Sequence, residues 1–303
     1  MAGKNKINIS LAGTFPPRQC GIASFNGDTY DNIRGDSRLE DIGVYAIERE
    51  ALKYPVPVIG TINQEQPDSY KKAAEHIVEK GNLERRRGKR NCVIVQHEYG
   101  IWGRDHMDDN VVDFLKILKQ GDMPSISILH TILSNPDRQK RDVLEQVVEN
   151  TNKAVCLTPS AIDILYDVYR APREKLIHIP HGVPHTDIHE SREELKQANG
   201  FGGKTVLSSI GFLSQGKGLE YSLEGFSKSK RDNSVYLIAG ETHPDVKRID
   251  GEYSDKLEEL SQEFGLKTTR TDKLGDMQDS DVVIFNKFLT NDEIFRLMKM
   301  SDI

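Results

Sequence analysis

The sequence predicts an α/β protein built from two parallel, doubly wound sheets. Three observations predict this class: short β-branched runs alternate with longer amphipathic stretches, several runs are apolar almost throughout, and the chain has 303 residues. Such alternation is typical of βαβ units, and continuous apolar strands are expected where helices cover both faces of a sheet. Because single hydrophobic cores stop growing near about 250–300 residues, this length favours two domains.

The first series of elements defines an N-terminal Rossmann-like domain, expected to span residues 1–185. Its strands are expected at Ile7–Ala12, Ile42–Ile47, Cys92–Gln96, Ser125–His130, Ala154–Leu157 and Leu176–Ile179. Its helices are expected at Ser24–Ile33, Ser69–Lys80, Asp108–Lys119, Arg138–Glu149 and Ser160–Tyr169. Pro159 marks the start of the last helix and Pro172 its end, because proline fits the first helical turn but cannot continue a helix.

The second series follows a polar stretch, His185–Gly203, and defines a second Rossmann-like domain at residues 186–303. Its strands are expected at Thr205–Ile210, Val235–Ala239 and Val282–Phe285, and its helices at Gly218–Ser227, Tyr253–Phe264 and Asp292–Met300. Three strands against six in the first series predict that this second domain is incomplete.

Composition excludes several classes of function. With 41 Lys and Arg against 47 Asp and Glu, the formal charge is −6, which argues against a nucleic-acid partner. A mean hydropathy of −0.55 and the lack of an apolar run near about 20 residues argue against a transmembrane helix. The three cysteines are odd in number and widely spaced, which disfavours a disulfide scaffold. The N-terminal residues lack a signal-peptide core, so we expect a soluble, cytoplasmic protein.

Ligands of open parallel sheets bind beyond the carboxyl ends of the strands, so the segments after each strand matter most. The segment Gly13–Ser24 after the first strand is too long and proline-rich for the dinucleotide motif G-x-G-x-x-G, which disfavours a nicotinamide enzyme. Gly21, at the entry of the next helix, permits close approach of a ligand to backbone N–H groups. A plain loop turn is an equally good interpretation of this segment.

Polar and aromatic residues follow the third and fourth strands. His97, Glu98, Tyr99 and Trp102 come directly after the third strand, a mixture that suits sugar binding. A structural tryptophan beside a capped turn would give the same sequence pattern. His130 ends the fourth strand, and a single histidine there is a weak indication of function.

The strongest single motif is Gly211–Gly218, which follows the strand Thr205–Ile210 and opens a helix. Backbone N–H groups, a positive helix end and Lys217 together suit a phosphate. The segment also matches G-x-x-x-x-G-K, the start of a P-loop, but Gly218 replaces the Ser or Thr that holds magnesium. A P-loop NTPase is therefore the weaker alternative, and a glycine-rich helix start without function is a third.

Two further clusters have plainer explanations. His178, His181, His185 and His189 are closely spaced, but proline and glycine interrupt the segment, so a metal site is disfavoured. The basic run 85–90 could touch anionic lipid as a weak peripheral membrane contact, although a solvated loop is favoured.

Taken in order, the motifs resemble the retaining, nucleotide-sugar-dependent glycosyltransferases of family 4, which have the GT-B fold of two Rossmann-like domains. The segments that carry the resemblance span nearly the whole chain: Thr14–Ala23, Gln96–Ile101, Leu129–Leu133, Ile179–Pro184, Gly211–Gly218, Ala239–Pro244 and Asn286–Leu289. Each segment is weak alone, and the seven in order are specific for the family but not for a donor sugar.

The resemblance implies a nucleoside-diphosphate sugar as donor substrate, a carbohydrate acceptor, no metal and no separate cofactor. His130 matches the histidine that faces the transferred sugar, and Lys217 matches the lysine that grips the pyrophosphate. The resemblance also assigns Gly21, Gly211 and Gly216 to the phosphates of the donor. It assigns Gly240, Glu241, Phe288 and Leu289 to the nucleoside, and His97 and Glu98 to the acceptor.

The sequence departs from the family in two places. Phe212 occupies a slot where many members have an arginine that shares the pyrophosphate with the lysine. The paired-glutamate segment of the family would follow Ile303, so we expect a truncated chain whose full activity needs a missing segment or a partner. A non-catalytic remnant that binds carbohydrate or a partner is a further alternative, and the oligomeric state is not predicted.

Overall fold

The computed structural model describes residues 6–103, 109–183, 186–275 and 279–303. The chain divides into two units, Met1–Gly182 and Val183–Ile303. Each unit contains a parallel sheet, so the predicted α/β class with two Rossmann-like sheets is confirmed.

The first unit contains a seven-stranded sheet in the order β3-β2-β1-β4-β5-β6-β7. Its strands are β1 (Ile7–Gly13), β2 (Leu39–Glu48), β3 (Val58–Asn63), β4 (Arg90–His97), β5 (Ser125–Leu129), β6 (Lys153–Cys156) and β7 (Leu176–His178). Its helices are α1 (Gly21–Ile33), α2 (Pro67–Arg86), α3 (Asp109–Gln120), α4 (Arg138–Asn150) and α5 (Pro159–Tyr169). Strand order reverses at β1, which pairs with both β2 and β4, so a crevice is expected at the carboxyl ends of β1 and β4.

The core of the first unit contains several large aromatic side chains. Trp102 is fully buried, with its ring centroid 5.6 Å from that of Tyr70 and 5.2 Å from that of Phe114. Helices α2, α3 and α4 supply apolar faces that pack against the sheet in the same cluster. This core fixes the strand ends from which the site residues project.

The second unit contains a four-stranded sheet in the order β10-β11-β9-β8. Its strands are β8 (Thr205–Ile210), β9 (Ser234–Ala239), β10 (Thr268–Thr271) and β11 (Val282–Phe285). Its helices are α6 (Arg192–Ala198), α7 (Leu219–Ser229), α8 (Pro244–Asp250), α9 (Tyr253–Glu263) and α10 (Asn291–Met300). Alternate residues of β9 belong to two separate clusters, Val235 and Leu237 to one and Tyr236 and Ile238 to the other, because both sheet faces are covered.

Four elements among the described residues were not predicted from the sequence, namely β3, β10, α6 and α8. The stretch 185–203 therefore contains a helix and is not only a polar linker. The first sheet has seven strands where six were expected, and the second has four where three were expected. The expected start of α3 at residue 108 lies outside the described residues. Within the described residues, no helix is long and apolar enough to cross a membrane.

Candidate functional site

The loop that follows the carboxyl end of β1 ends at Gly21, which lies at the surface. Cys20 caps α1, and its Sγ accepts a hydrogen bond from the Ala23 backbone N–H at 3.3 Å. Gly21 is exposed, and no heavy atom lies within 4 Å of the position that its Cβ would occupy. The first turn of α1 therefore presents backbone to an open space, as the sequence predicts for a ligand-approach position.

Three buried polar residues meet where β1, α1 and β4 come together. Asn26 and Gln96 are both fully buried, and Gln96 Nε2 donates to Asn26 Oδ1 at 3.2 Å. Asn26 Nδ2 in turn donates to the Thr14 carbonyl at 3.1 Å. At the other end, Gln96 Oε1 lies 2.8 Å from His130 Nε2. His130 is therefore tied to the sheet through a continuous chain of hydrogen bonds.

His130 directly follows β5 and is half-buried. The edge of the Phe25 ring packs against it at a centroid distance of 4.7 Å, and the same phenylalanine packs against His181 at 5.5 Å. Burial, with a smaller effect of His181, lowers the pKa of His130 to about 4. The imidazole is consequently neutral at physiological pH.

The two residues predicted for the acceptor side differ in exposure. His97 is fully buried, so its ring is not available to a ligand in this structure. Glu98 is half-buried. Its carboxylate accepts from the Thr131 hydroxyl at 2.7 Å and from the Tyr99 backbone N–H at 3.0 Å.

Trp102 belongs to the core, and its Nε1 donates to the Gln96 carbonyl at 2.8 Å. The structural interpretation of the tryptophan is therefore correct, and its place in a sugar-binding cluster was wrong.

In the second unit, the residue directly after β8 and the residue directly after β9 are both glycines. The two backbone segments therefore approach each other with no side chain between them. Gly211 and Gly240 follow these strands with φ values of 131° and 144°. A Cβ on Gly240 would lie 2.0 Å from the Gly211 carbonyl oxygen. This close approach requires glycine at residue 240 and brings the two segments side by side.

A cavity of about 210 Å³ lies beyond β8, lined by residues of the segment 209–219, among them Gly211, Phe212 and Lys217. Lys217 is exposed and, in the described part of the chain, its side-chain ammonium has no hydrogen-bond or ion-pair partner. Gly216 is also exposed. A 3₁₀ turn, Gln215–Lys217, precedes α7, so the helix starts one residue later than expected. The cavity thus combines a lysine with the positive end of an 11-residue helix.

Three aromatic rings cluster at the same edge of the second sheet. The Phe212 ring centroid lies 5.3 Å from that of His243 and 5.9 Å from that of Phe288. Phe288 is 37% exposed, whereas the neighbouring Leu289 is buried. Partial burial raises the pKa of Glu241. Phe212, in the slot where an arginine was expected, therefore contributes an apolar surface.

Some polar side chains near the strand ends were not predicted as site residues from the sequence. Asn26, Gln96 and Asn286 are the main ones; Asn286 has a buried Oδ1 without a hydrogen-bond partner among the described residues. Gln96 was visible within a motif, but nothing in one sequence marks Asn26, which is separated from Gln96 by 70 residues.

Neither the histidine cluster at 178–189 nor the basic run 85–90 adds a site among the described residues. Within the described residues, no group of three or more His, Cys, Asp or Glu could hold a metal ion, and His185 lies outside those residues. In the basic run, Arg85 pairs with Asp122 at 2.9 Å, and Lys89 pairs with Glu40 and Glu84 at 3.3 Å each. Carboxylates therefore offset much of the charge of this run.

A second cavity, of about 600 Å³, lies beside the outer strand β3 and the start of α2. Tyr45 and His76 line it, with the tyrosine hydroxyl 3.2 Å from His76 Nδ1. None of the described residues that line it was predicted as a site residue. Its size alone does not make it the candidate site, because the polar side chains at the strand ends converge elsewhere.

No protein-family model matches the chain, and no curated protein matches its sequence. Solved structures do match its fold. The structure of HepE from Anabaena in complex with UDP and glucose matches with a TM-score of 0.64 at 12% identity, covering 97% of this chain and 72% of that one.

Two other matches have similar scores. A glycosyltransferase from Rickettsia africae has a TM-score of 0.59 at 15% identity, over 98% of this chain and 72% of its own. A UDP-forming α,α-trehalose-phosphate synthase from Burkholderia vietnamiensis has a TM-score of 0.60 at 11% identity, over 98% and 75%. These neighbours are GT-B glycosyltransferases, so the chain has a GT-B-like fold.

Proposed function

We propose that this protein binds a nucleoside-diphosphate sugar and transfers the sugar to a carbohydrate acceptor with retention of configuration. The observation that carries the proposal is the cavity beyond β8, where Lys217 and the start of α7 face one space within a fold shared with UDP-binding transferases. A pyrophosphate gains charge as it leaves, and a lysine beside a helix N-terminus stabilises that charge most in the transition state.

The roles of the other residues follow from their places at the strand ends. Gly211 and Gly216 would bring backbone close to the phosphates, with Gly21 beside the phosphates and the acceptor. Gly240, Glu241, Phe288 and Leu289 would border the nucleoside, for which the exposed face of Phe288 supplies an apolar surface. His130 would face the sugar and Glu98 the acceptor, whereas His97 would act only by supporting this region. A cytoplasmic location and membership of family 4 are part of the same proposal.

Replacement of Lys217 tests the phosphate site. We expect Lys217→Ala to weaken binding of UDP or a UDP-sugar about 10- to 100-fold, because a charge-assisted hydrogen bond contributes roughly 1.5–3 kcal/mol. Isothermal titration with UDP, GDP and ADP measures the loss and identifies the base.

Lys228→Ala is the matched control, because Lys228 lies near the other end of α7 and pairs with Glu224. Unchanged affinity in Lys217→Ala would refute the assignment, and an equal loss in Lys228→Ala would show that the effect is not specific to Lys217.

Transfer itself is tested with a panel of nucleotide sugars and carbohydrate acceptors. Product formation with the anomeric configuration of the donor, followed by NMR, is the expected result. Binding of donor without any transfer would instead favour the non-catalytic carbohydrate-binding remnant.

A further inference from the structure

The buried chain of hydrogen bonds from Thr14 to His130 has only one possible direction. The Thr14 carbonyl can only accept, so the Asn26 atom that faces it at 3.1 Å must be the donating Nδ2. Asn26 Oδ1 then faces Gln96 and can only accept, so Gln96 Nε2 donates to it at 3.2 Å. One backbone carbonyl thereby orients two side-chain amides.

The orientation of Gln96 sets the proton position on His130. Gln96 Oε1 lies 2.8 Å from His130 Nε2, and this oxygen carries no hydrogen. The hydrogen of that bond must therefore be on the ring nitrogen. The opposite direction would require both amides to flip and would set Asn26 Oδ1 against the Thr14 carbonyl oxygen. Because Thr14, Asn26 and Gln96 are all fully buried, water cannot relieve that contact.

The other ring nitrogen of His130 remains open. His130 is half-buried, and its Nδ1 has no hydrogen-bond partner among the described residues. The groups around the ring are the Phe25 edge and the imidazoles of His97 and His181. No carboxylate takes part in the described hydrogen bonds of the ring, and burial keeps the ring neutral, so Nδ1 carries a lone pair.

We propose that Asn26 and Gln96 are positioning residues that hold His130 with its proton on Nε2, so that Nδ1 accepts a hydrogen bond from one sugar hydroxyl. Only the identity of the ligand rests on the proposed function. The direction of the hydrogen bonds from Thr14 to His130 rests on the geometry. The consequence is a specificity: a hydroxyl is accepted at that position of the sugar, whereas fluorine or an ether oxygen, which cannot donate, is rejected.

The tautomer is measured directly by ¹⁵N NMR of histidine-labelled protein without any ligand. We expect the wild type to show His130 at pH 7 as the pure Nε2–H form. Gln96→Met should convert it into a mixture of both tautomers. Asn26→Leu, one step away from the ring, should do the same because Gln96 is then free to flip. A wild type with the Nδ1–H form or a mixture would overturn the proposal.

Gln64→Met is the matched control for these variants. Gln64 is an equally buried glutamine of the same unit, and its Nε2 donates to the carbonyls of Gly100 and Gly103 at 2.7 and 3.0 Å. It should leave the His130 tautomer unchanged. Gln96→Glu adds a second readout, because the carboxylate should raise the pKa of His130 by about 1–3 units. A mixed tautomer in the control would show that any core damage frees the ring and would refute a specific role.

The hydroxyl partner is identified with a series of monodeoxy UDP-sugars. Gln96→Met should lower kcat/KM about 10-fold with the parent donor, yet have little effect with the single deoxy donor that lacks the hydroxyl bound by Nδ1. Equal losses with every donor would refute the contact. If no nucleotide sugar binds at all, the proposed function fails, while the NMR result still decides the role of Asn26 and Gln96.

Discussion

His97 shows how one buried side chain ties the stability of the first unit to pH. Its ring is fully buried, and neither ring nitrogen has a hydrogen-bond partner among the described residues. Burial, with a smaller effect of His130, lowers its pKa to about 4. The unfolded chain binds more protons than the folded one between pH 6.5 and 4, so stability falls as the pH falls through this range.

We expect the His97→Phe variant to lose the part of the pH dependence that His97 contributes, because phenylalanine keeps a ring against Tyr99 and cannot be protonated. His130, whose pKa is also lowered to about 4, keeps its own contribution in the variant. The histidine alone should reduce the free energy of unfolding by about 2 kcal/mol between pH 7 and pH 5. Urea denaturation of both proteins at the two pH values measures the difference. His178→Gln, an exposed histidine of the same unit, is the control. An unchanged pH slope in His97→Phe would contradict the interpretation.

At the scale of elements, the junction of β8 and β9 depends on the absence of a side chain at residue 240. Gly240→Ala would force a methyl group against the Gly211 carbonyl, in a backbone conformation with φ 144°. We expect a loss of at least about 2 kcal/mol in unfolding free energy and weaker nucleotide binding. Urea denaturation and titration with UDP measure both effects.

Gly225→Ala is the control, and its expected effect on the unfolding free energy is opposite in sign to that of Gly240→Ala. Gly225 is exposed within α7 and has no heavy atom within 4 Å of its Cβ position. Alanine there should stabilise the protein by up to about 1 kcal/mol, because glycine has the lower helix propensity. A Gly240→Ala protein as stable as the wild type would show that the two strand ends can separate freely.

The elements that the sequence predicted well are those with continuous apolar runs or clear amphipathic periods. β11 has the predicted bounds, and its four residues are all apolar and buried. β8 also has the predicted bounds, although it is an edge strand in which three of six residues are Thr or Ser. The missed strands lie at the sheet edges, where β3 contains Gly60 and β10 has only four, mostly polar, residues. Helix α6 did carry a signal, the capping box of Ser191 and Glu194, but its seven residues are too few for a periodic pattern.

The candidate site was predictable only where a residue follows a strand. His130, Glu98 and Lys217 were predicted as candidates in this way, since the carboxyl ends of parallel strands meet at one edge of a sheet. Asn26 lies inside α1, and its contact with Gln96 depends on the packing of the helix against β1 and β4. Local sequence does not encode such a contact. The burial of His97 was likewise hidden, because its strand position alone does not say which residues cover it.

At the scale of the whole molecule, each unit has hydrophobic clusters of its own among the described residues. The clusters of the first unit contain residues up to Leu176, and those of the second begin at Ile188. Each cluster lies between the sheet and helices of its own unit. Since burial of apolar surface is the main favourable contribution to folding, each unit should owe its stability mainly to its own core.

Truncation of one core residue in each unit tests this independence. Leu144 on α4 and Leu223 on α7 are both fully buried, so Leu144→Ala and Leu223→Ala should each cost about 2–5 kcal/mol. In hydrogen-exchange mass spectrometry, we expect Leu144→Ala to lower amide protection in the first unit only, and Leu223→Ala in the second only. UDP binding should survive the first change and weaken with the second, because the proposed phosphate site lies beside α7. Loss of protection across the whole chain in both variants would show instead that the two sheets unfold as one cooperative unit.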